Sequence, residues 1–247
     1  MKLEEFLEGN GFSAFLSGNH RFMSKFIVLE GLDGSGKGTQ TALLREYLEA
    51  AGKRVCMIDF PAYGTPGAAL VELYLNGGLG DRPDDTNAYA ASMFFAADRY
   101  VSYRNSWKAD YEDPETYVIA NRYTTANAYH QLSKLPEEEW DTFLDWLWNF
   151  EFCRLGLPAP DRVLLLDMPE SVSESLVYRR SSETGVRLDI HEKDTGYLKR
   201  CRDAAHYVAG KCGWTIVECA EEGMTEPYSR DEIAGRIRES LADLLEF

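Results

Sequence analysis

The stretch that decides the fold is Phe26-Ile27-Val28-Leu29-Glu30-Gly31-Leu32-Asp33-Gly34-Ser35-Gly36-Lys37-Gly38-Thr39. Its four consecutive apolar residues read as a short strand buried on both faces. A glycine-rich loop follows, and then a helix is predicted over 39–51. Leu43, Leu44, Tyr47, Leu48 and Ala51 recur there at three- and four-residue spacing, and Gly52 stops the run. The chemistry of such a loop is specific. Glycines let successive backbone N–H groups point into one concavity, the helix start adds positive potential, and the lysine reaches outer phosphates. Gly31, Leu32, Asp33, Gly34, Ser35, Gly36, Lys37, Gly38 and Thr39 are therefore predicted to hold a nucleoside triphosphate. The position after Lys37 that commonly carries a magnesium-ligating hydroxyl is Gly38, and the hydroxyl comes one residue later at Thr39.

Outward from this loop, strands and helices alternate. Strands are predicted over 55–60, 117–120, 162–167 and 214–219, with helices through Leu75 and over 87–104, 127–131, 137–155, 171–180 and 191–209. A last helix starts at the Ser229/Glu232 capping box. The polar stretch 181–188 reads as a mobile loop. The pattern is α/β: three layers, with a five-stranded parallel sheet flanked by helices and a mobile lid. There is no repeat or low-complexity linker, so residues 23–247 are expected to form a single domain. Residues 1–22 lack the order of a signal peptide and are expected to be a loosely attached, poorly ordered tail.

Composition narrows the partners. Across 247 residues, 41 acidic side chains against 26 basic ones give a formal charge of −15. That field repels nucleic acid, which needs a basic face. No apolar run is long enough to cross a membrane. The five cysteines show no C-x-x-C spacing, which fits reduced thiols in a cytoplasmic protein.

The Gly36-Lys37-Gly38-Thr39-Gln40 form resembles adenylate kinase and its relatives, and so a nucleoside monophosphate kinase. Such an enzyme needs cations and in-line positioning rather than a general base. Three further segments bear on the acceptor. Phe95 and Arg99 are four apart on one helix face, where a ring can stack on a base and a guanidinium can bond its carbonyl. Alone, this pair fits a core ring beside a snorkelling arginine better. The others are Asn121-Arg122-Tyr123 with Asn127 and Gln131 following, and Phe60-Pro61-Ala62-Tyr63-Gly64-Thr65.

Together with the loop and with Leu155-Gly156-Leu157-Pro158-Ala159-Pro160-Asp161, these segments resemble thymidylate kinase over about residues 24–240. The resemblance implies a P-loop kinase fold, ATP and dTMP as substrates, Mg2+, transfer of a phosphoryl group to dTMP, and a homodimer. It implies that Phe95 stacks on thymine and Arg99 bonds its carbonyl. Asn127 and Gln131 hold the base edge or the adjoining acceptor groups, Phe60 and Tyr63 line the acceptor site, and Arg122 bridges the two phosphates. Lys37 and Asp33 join the catalytic set. Family members with no arginine in the phosphate loop usually carry catalytic cations in the lid, and this loop has none, so the resemblance implies Arg180 and Arg187 as transition-state cations flanking a lid over about 181–190; solvated loop arginines are the alternative.

Two positions depart from the family pattern. Asn121 stands where an Asp is usual, which leaves the metal to Thr39, Glu30 or Asp33. Ala62-Tyr63 stands where an arginine is common. The rival readings are a kinase for another (deoxy)nucleoside monophosphate, a catalytically weak nucleotide-binding or regulatory protein, and a P-loop ATPase using Asp167.

Overall fold

In the computed structural model, residues 23–185 and 189–245 are described. The expected tail at 1–22 and Arg187 lie outside them. Five strands form one sheet: β1 (Lys25–Glu30), β2 (Arg54–Asp59), β3 (Thr116–Asn121), β4 (Arg162–Asp167) and β5 (Thr215–Glu218). Their spatial order is β2-β3-β1-β4-β5, and every neighbouring pair is parallel. The helices between them are α1 (Lys37–Ala50), α2 (Ala69–Leu75), α3 (Ala88–Ser102), α4 (Lys108–Tyr111), α5 (Thr124–Leu132), α6 (Trp140–Trp148), α7 (Glu170–Thr184), α8 (Thr195–Cys212) and α9 (Arg230–Ser240).

The period of two along each strand divides the core into two. From β1, Phe26 and Val28 join Trp107, Tyr129, Phe143 and Val208 on one face. Ile27 and Leu29 join Leu44, Leu48, Ile233 and Ile237 on the other. Central β1 is buried along its length because helices cover both faces, which is why it reads as an unbroken apolar run.

Several boundaries differ from the sequence reading. The expected loop 181–188 begins later: α7 runs on to Thr184 and ends at Gly185, whose φ of 69° only glycine adopts easily. Helix α8 starts at Thr195 rather than 191, because the Asp194 side chain accepts from the Tyr197 N–H and caps it there. The helix expected over 137–155 begins as a 3-10 turn (Glu137–Glu139) and ends in a π-helical stretch (Asn149–Arg154). The capping box at Ser229 and Glu232 is formed.

In a parallel sheet of this kind, ligands bind beyond the carboxyl ends of the strands. Those ends here carry Glu30-Gly31, Asp59-Phe60, Asn121-Arg122 and Asp167-Met168.

Candidate active site

The loop after β1 is shaped by close approach. A Cβ at Gly31 (φ 148°) would lie 2.6 Å from the Ser35 hydroxyl and 2.8 Å from the Leu166 carbonyl oxygen. Gly34 (φ 81°) lies against the Ser173 backbone, with no room for a side chain. Gly36 (φ 83°) turns the chain into α1. Lys37 folds back over the loop, donating to the Leu32 carbonyl at 2.7 Å. Its burial, with Arg122 nearby, pulls the ammonium below the usual lysine range. Thr41 donates to the carbonyls of Lys37 and Gly38, both at 3.0 Å, whereas half-buried Thr39 lines the cleft above the helix start.

Arg122 follows the end of β3. Its φ of 66° is the only positive value at a non-glycine position among the described residues, a strained geometry typical of functional sites. The Arg122 guanidinium pairs with the Asp33 carboxylate. Nη1 also donates to His130 Nε2 at 3.0 Å and to the Tyr129 hydroxyl at 3.3 Å. A guanidinium only donates, so His130 Nε2 is an acceptor and the ring proton sits on Nδ1, facing the Tyr197 hydroxyl at 3.2 Å. Burial keeps this histidine neutral, well below its usual range. Burial raises Asp33, but Arg122 and then Lys37 outweigh it and hold the carboxyl far below the usual carboxylate range.

Two spaces meet at this ion pair. The inner one, about 550 Å³ of space including its open mouth, is lined by Phe60, Tyr63, Phe95, Arg99, Arg122, Tyr123, Ala126, Asn127, His130, Gln131 and His191, among others. The outer cleft, about 2460 Å³ of open space, runs along Gly34, Gly36, Lys37, Gly38 and Thr39 to Arg179, Arg180, Glu226 and Arg230. Asp33, Phe60, Pro61, Tyr63, Leu75, Arg122 and Asp189 line both. The structure thus gathers most of the residues expected from the sequence around one doubly lobed cavity.

The inner pocket has a floor that the sequence did not reveal. Arg99, 2% exposed, gives Nε and Nη2 to the carboxylate of Glu151, 0% exposed, at 2.7 and 2.6 Å. Glu151 also accepts from Thr124 Oγ1 at 2.8 Å and from Asn127 Nδ2 at 3.2 Å. Arg99 Nη1 lies 3.5 Å from the Tyr123 carbonyl oxygen, which leaves its second hydrogen for the pocket. Gln131 Nε2 lies 3.4 Å from Asn127 Oδ1, and Gln131 Oε1 is buried without a hydrogen-bond partner among the described residues. Phe95 stands edge-on to Tyr74 with centroids 6.1 Å apart. On α3, Asp98 accepts from the Ala62 N–H at 2.9 Å and fixes the loop that carries Tyr63.

One expectation is corrected, and the rival ATPase reading loses its carboxylate. Glu30 is no cation ligand: it is 0% exposed and accepts from Tyr123 N–H, Thr125 Oγ1 and Tyr129 OH at 2.9, 2.5 and 3.0 Å. Strand alternation turns it into the core with Phe26 and Val28. Asp167 does not reach the cleft. It faces α8, bound by Arg202 at 3.1 and 3.3 Å and lying 3.1 Å from His206 Nε2. Arg180 sits on the cleft in an ion pair with Glu192.

The strand order, the glycine cradle opening α1, and a second pocket abutting it define a P-loop kinase of the nucleoside monophosphate class. The thymidylate kinase family model matches residues 29–241, and the chain belongs to that family. It is similar to the thymidylate kinase of Mycobacterium tuberculosis, 34% identical over 70% of this chain and 80% of that one. It is similar to a probable thymidylate kinase of Methanococcus maripaludis, 26% identical over 91% of this chain and 100% of that one. A solved thymidylate kinase from Candida albicans shares the fold with a TM-score of 0.62 at 19% identity, covering 90% of this chain and 92% of that chain.

Proposed function

We propose that this protein transfers the terminal phosphoryl group of ATP to dTMP, giving ADP and dTDP. The observation that carries the reading is the junction at Arg122 and Asp33, where a base-sized pocket opens onto the phosphate cradle. The bond from the γ-phosphorus to the β-phosphate bridging oxygen breaks, and one forms to an oxygen of the acceptor phosphate. That oxygen is already ionised near neutral pH, so positioning and charge do the work.

In this reading the amides of the 31–39 loop and Lys37 hold the ATP phosphates, whose charge restores that of the lysine. Thymine enters the inner pocket beneath Phe95. Arg99 Nη1 donates to a carbonyl, and Gln131 Oε1 finds in the N3–H the donor it lacks. The Arg122 fork turns from Asp33 to the acceptor phosphate. Arg180 and Arg187 act as lid cations; Arg180 is released from Glu192 as the lid closes.

Magnesium fits this donor set. No group of three or more His, Cys, Asp or Glu side chains gathers as a metal site among the described residues, as suits an ion carried mainly on phosphates and waters. Thr39 and Asp33 on the cleft would hold it, and it would neutralise developing phosphate charge.

We further propose a homodimer through α2 and α3. Leu70, Leu73, Tyr89, Met93 and Tyr100 are exposed there, and the α3 residues share one face. No helix of the described residues is long and apolar enough to cross a membrane, and all five cysteines are free, which supports a cytoplasmic location.

Coupled ADP release with a panel of monophosphates tests the reading. Turnover that depends on dTMP is expected. Turnover without any acceptor selects an ATPase, and binding without turnover selects a regulatory module.

A further inference from the structure

The amide at the end of β3 raises a question of charge that the neighbouring strand answers. An ion on the triphosphate needs anionic or polar oxygens around its waters. Most carboxylates near the cradle are committed. Asp33, which would join Thr39 at the ion once Arg122 turns to the acceptor phosphate, is paired with Arg122 before the acceptor binds; Glu192 is paired with Arg180 and Glu226 with Arg179, and Glu30 is sealed in the core. Asp189 accepts from the backbone N–H groups of His191 and Glu192 where the two spaces meet, and Glu183 lines the cleft from the last turn of α7, the helix that also carries Arg179 and Arg180.

Asp59 is different. It ends β2 in direct register with Asn121 on β3, and it lines the same cleft as Lys37 and Thr39. One carboxylate oxygen accepts from Asn121 Nδ2 at 2.6 Å, which leaves the other to the cleft. Asn121 Oδ1 is buried and has no hydrogen-bond partner among the described residues. Helix α1, whose first turn carries Lys37 and Thr39, packs against both β2 and β3.

We propose that Asp59 is the positioning carboxylate for the nucleotide-bound cation. It supplies from β2 the negative charge that β3 lacks, with the Asn121 Nδ2–H group holding the carboxylate in place. This rests on the kinase reading above. The competing explanation is that the pair merely ties edge strand β2 to β3.

Two variants separate them. Asp59→Asn keeps an amide able to bond Asn121 but removes the charge. The exchange variant Asp59→Asn with Asn121→Asp keeps the bond and returns the charge one strand over. Binding of Mn2+ to the protein with the β,γ-imido analogue of ATP is read from loss of the free-ion electron paramagnetic resonance signal. Asp59→Asn is expected to weaken the ion about tenfold, and the exchange variant to restore it to within about threefold. Binding of the analogue without metal should not weaken in either. Unchanged ion affinity in Asp59→Asn overturns the inference, as does an exchange variant as weak as Asp59→Asn. Failure of the unmodified protein to bind the metal–nucleotide at all sinks the kinase reading instead.

Discussion

Replacing Glu151 with glutamine tests how the base pocket is built. The substitution hardly changes shape, but it leaves the Arg99 guanidinium buried without a counter-charge. It also turns one acceptor oxygen into a donor facing Arg99, Thr124 or Asn127. Breaking a buried pair from one side costs about 3–5 kcal/mol. In a domain of this size that lowers the melting temperature by about 10 °C. The pocket loses its aimed Arg99 Nη1 and its tethered Asn127. A charge-assisted hydrogen bond contributes about 1.5–3 kcal/mol, so KM for dTMP should rise about 10- to 100-fold. KM for ATP should not move, because the cradle shares no residue with this network. The assays are thermal melting and steady-state kinetics with each substrate varied in turn. Glu151→Asp, which keeps the charge, should fall between the two. Arg99→Met with Glu151→Met should recover most of the stability and none of the dTMP affinity. If Glu151→Gln melts like the unmodified protein and keeps its KM for dTMP, the reasoning is wrong.

Other predictions follow the same geometry. Arg122→Lys replaces a fork with a point charge and should lower kcat about 1000-fold; a kcat within tenfold of the original counts against the bridging role. Arg180→Ala and Arg187→Ala should each slow turnover about 100-fold without changing the fold; near-normal rates in both remove the lid cations from the account. His191 is buried against Tyr74 and His130, and burial holds its imidazole down to about 3. The unfolded chain takes up that proton near pH 6.5 while the folded one does not. Stability is therefore full above that value and falls as the pH drops towards 3. The loss from this group is about 2 kcal/mol by pH 5. Denaturant midpoints at pH 7 and pH 5 should show a smaller difference in His191→Gln; an equal difference contradicts this.

What was legible in the sequence is what local chemistry dictates. The cradle could be read because its glycines are forced by backbone approach, and β1 because both its faces are covered. Arg122 was visible as a cation at a strand end. Glu151 was not, since a glutamate between Phe150 and Phe152 in a helical run reads as a surface residue. Its burial comes from an arginine 52 positions away. Asp98 was missed for the same reason, because its partner is a backbone amide on another loop. Glu30 was misread although the signal was present: a period of two puts it on the face of Phe26 and Val28. The end of α7 was hidden because a helix of polar residues there carries no apolar stripe, and only Gly185 marks its stop.

The central claim is that the cradle from Gly31 and the pocket at Arg122 hold donor and acceptor in line. Adenosine and thymidine joined through their 5′ oxygens by a chain of five phosphates would span both lobes at once. Titration calorimetry should show one molecule bound per chain, with an affinity more than about 100-fold tighter than ATP or dTMP alone. Affinity no better than that of ATP, or binding that leaves the dTMP site open to a second ligand, would contradict it.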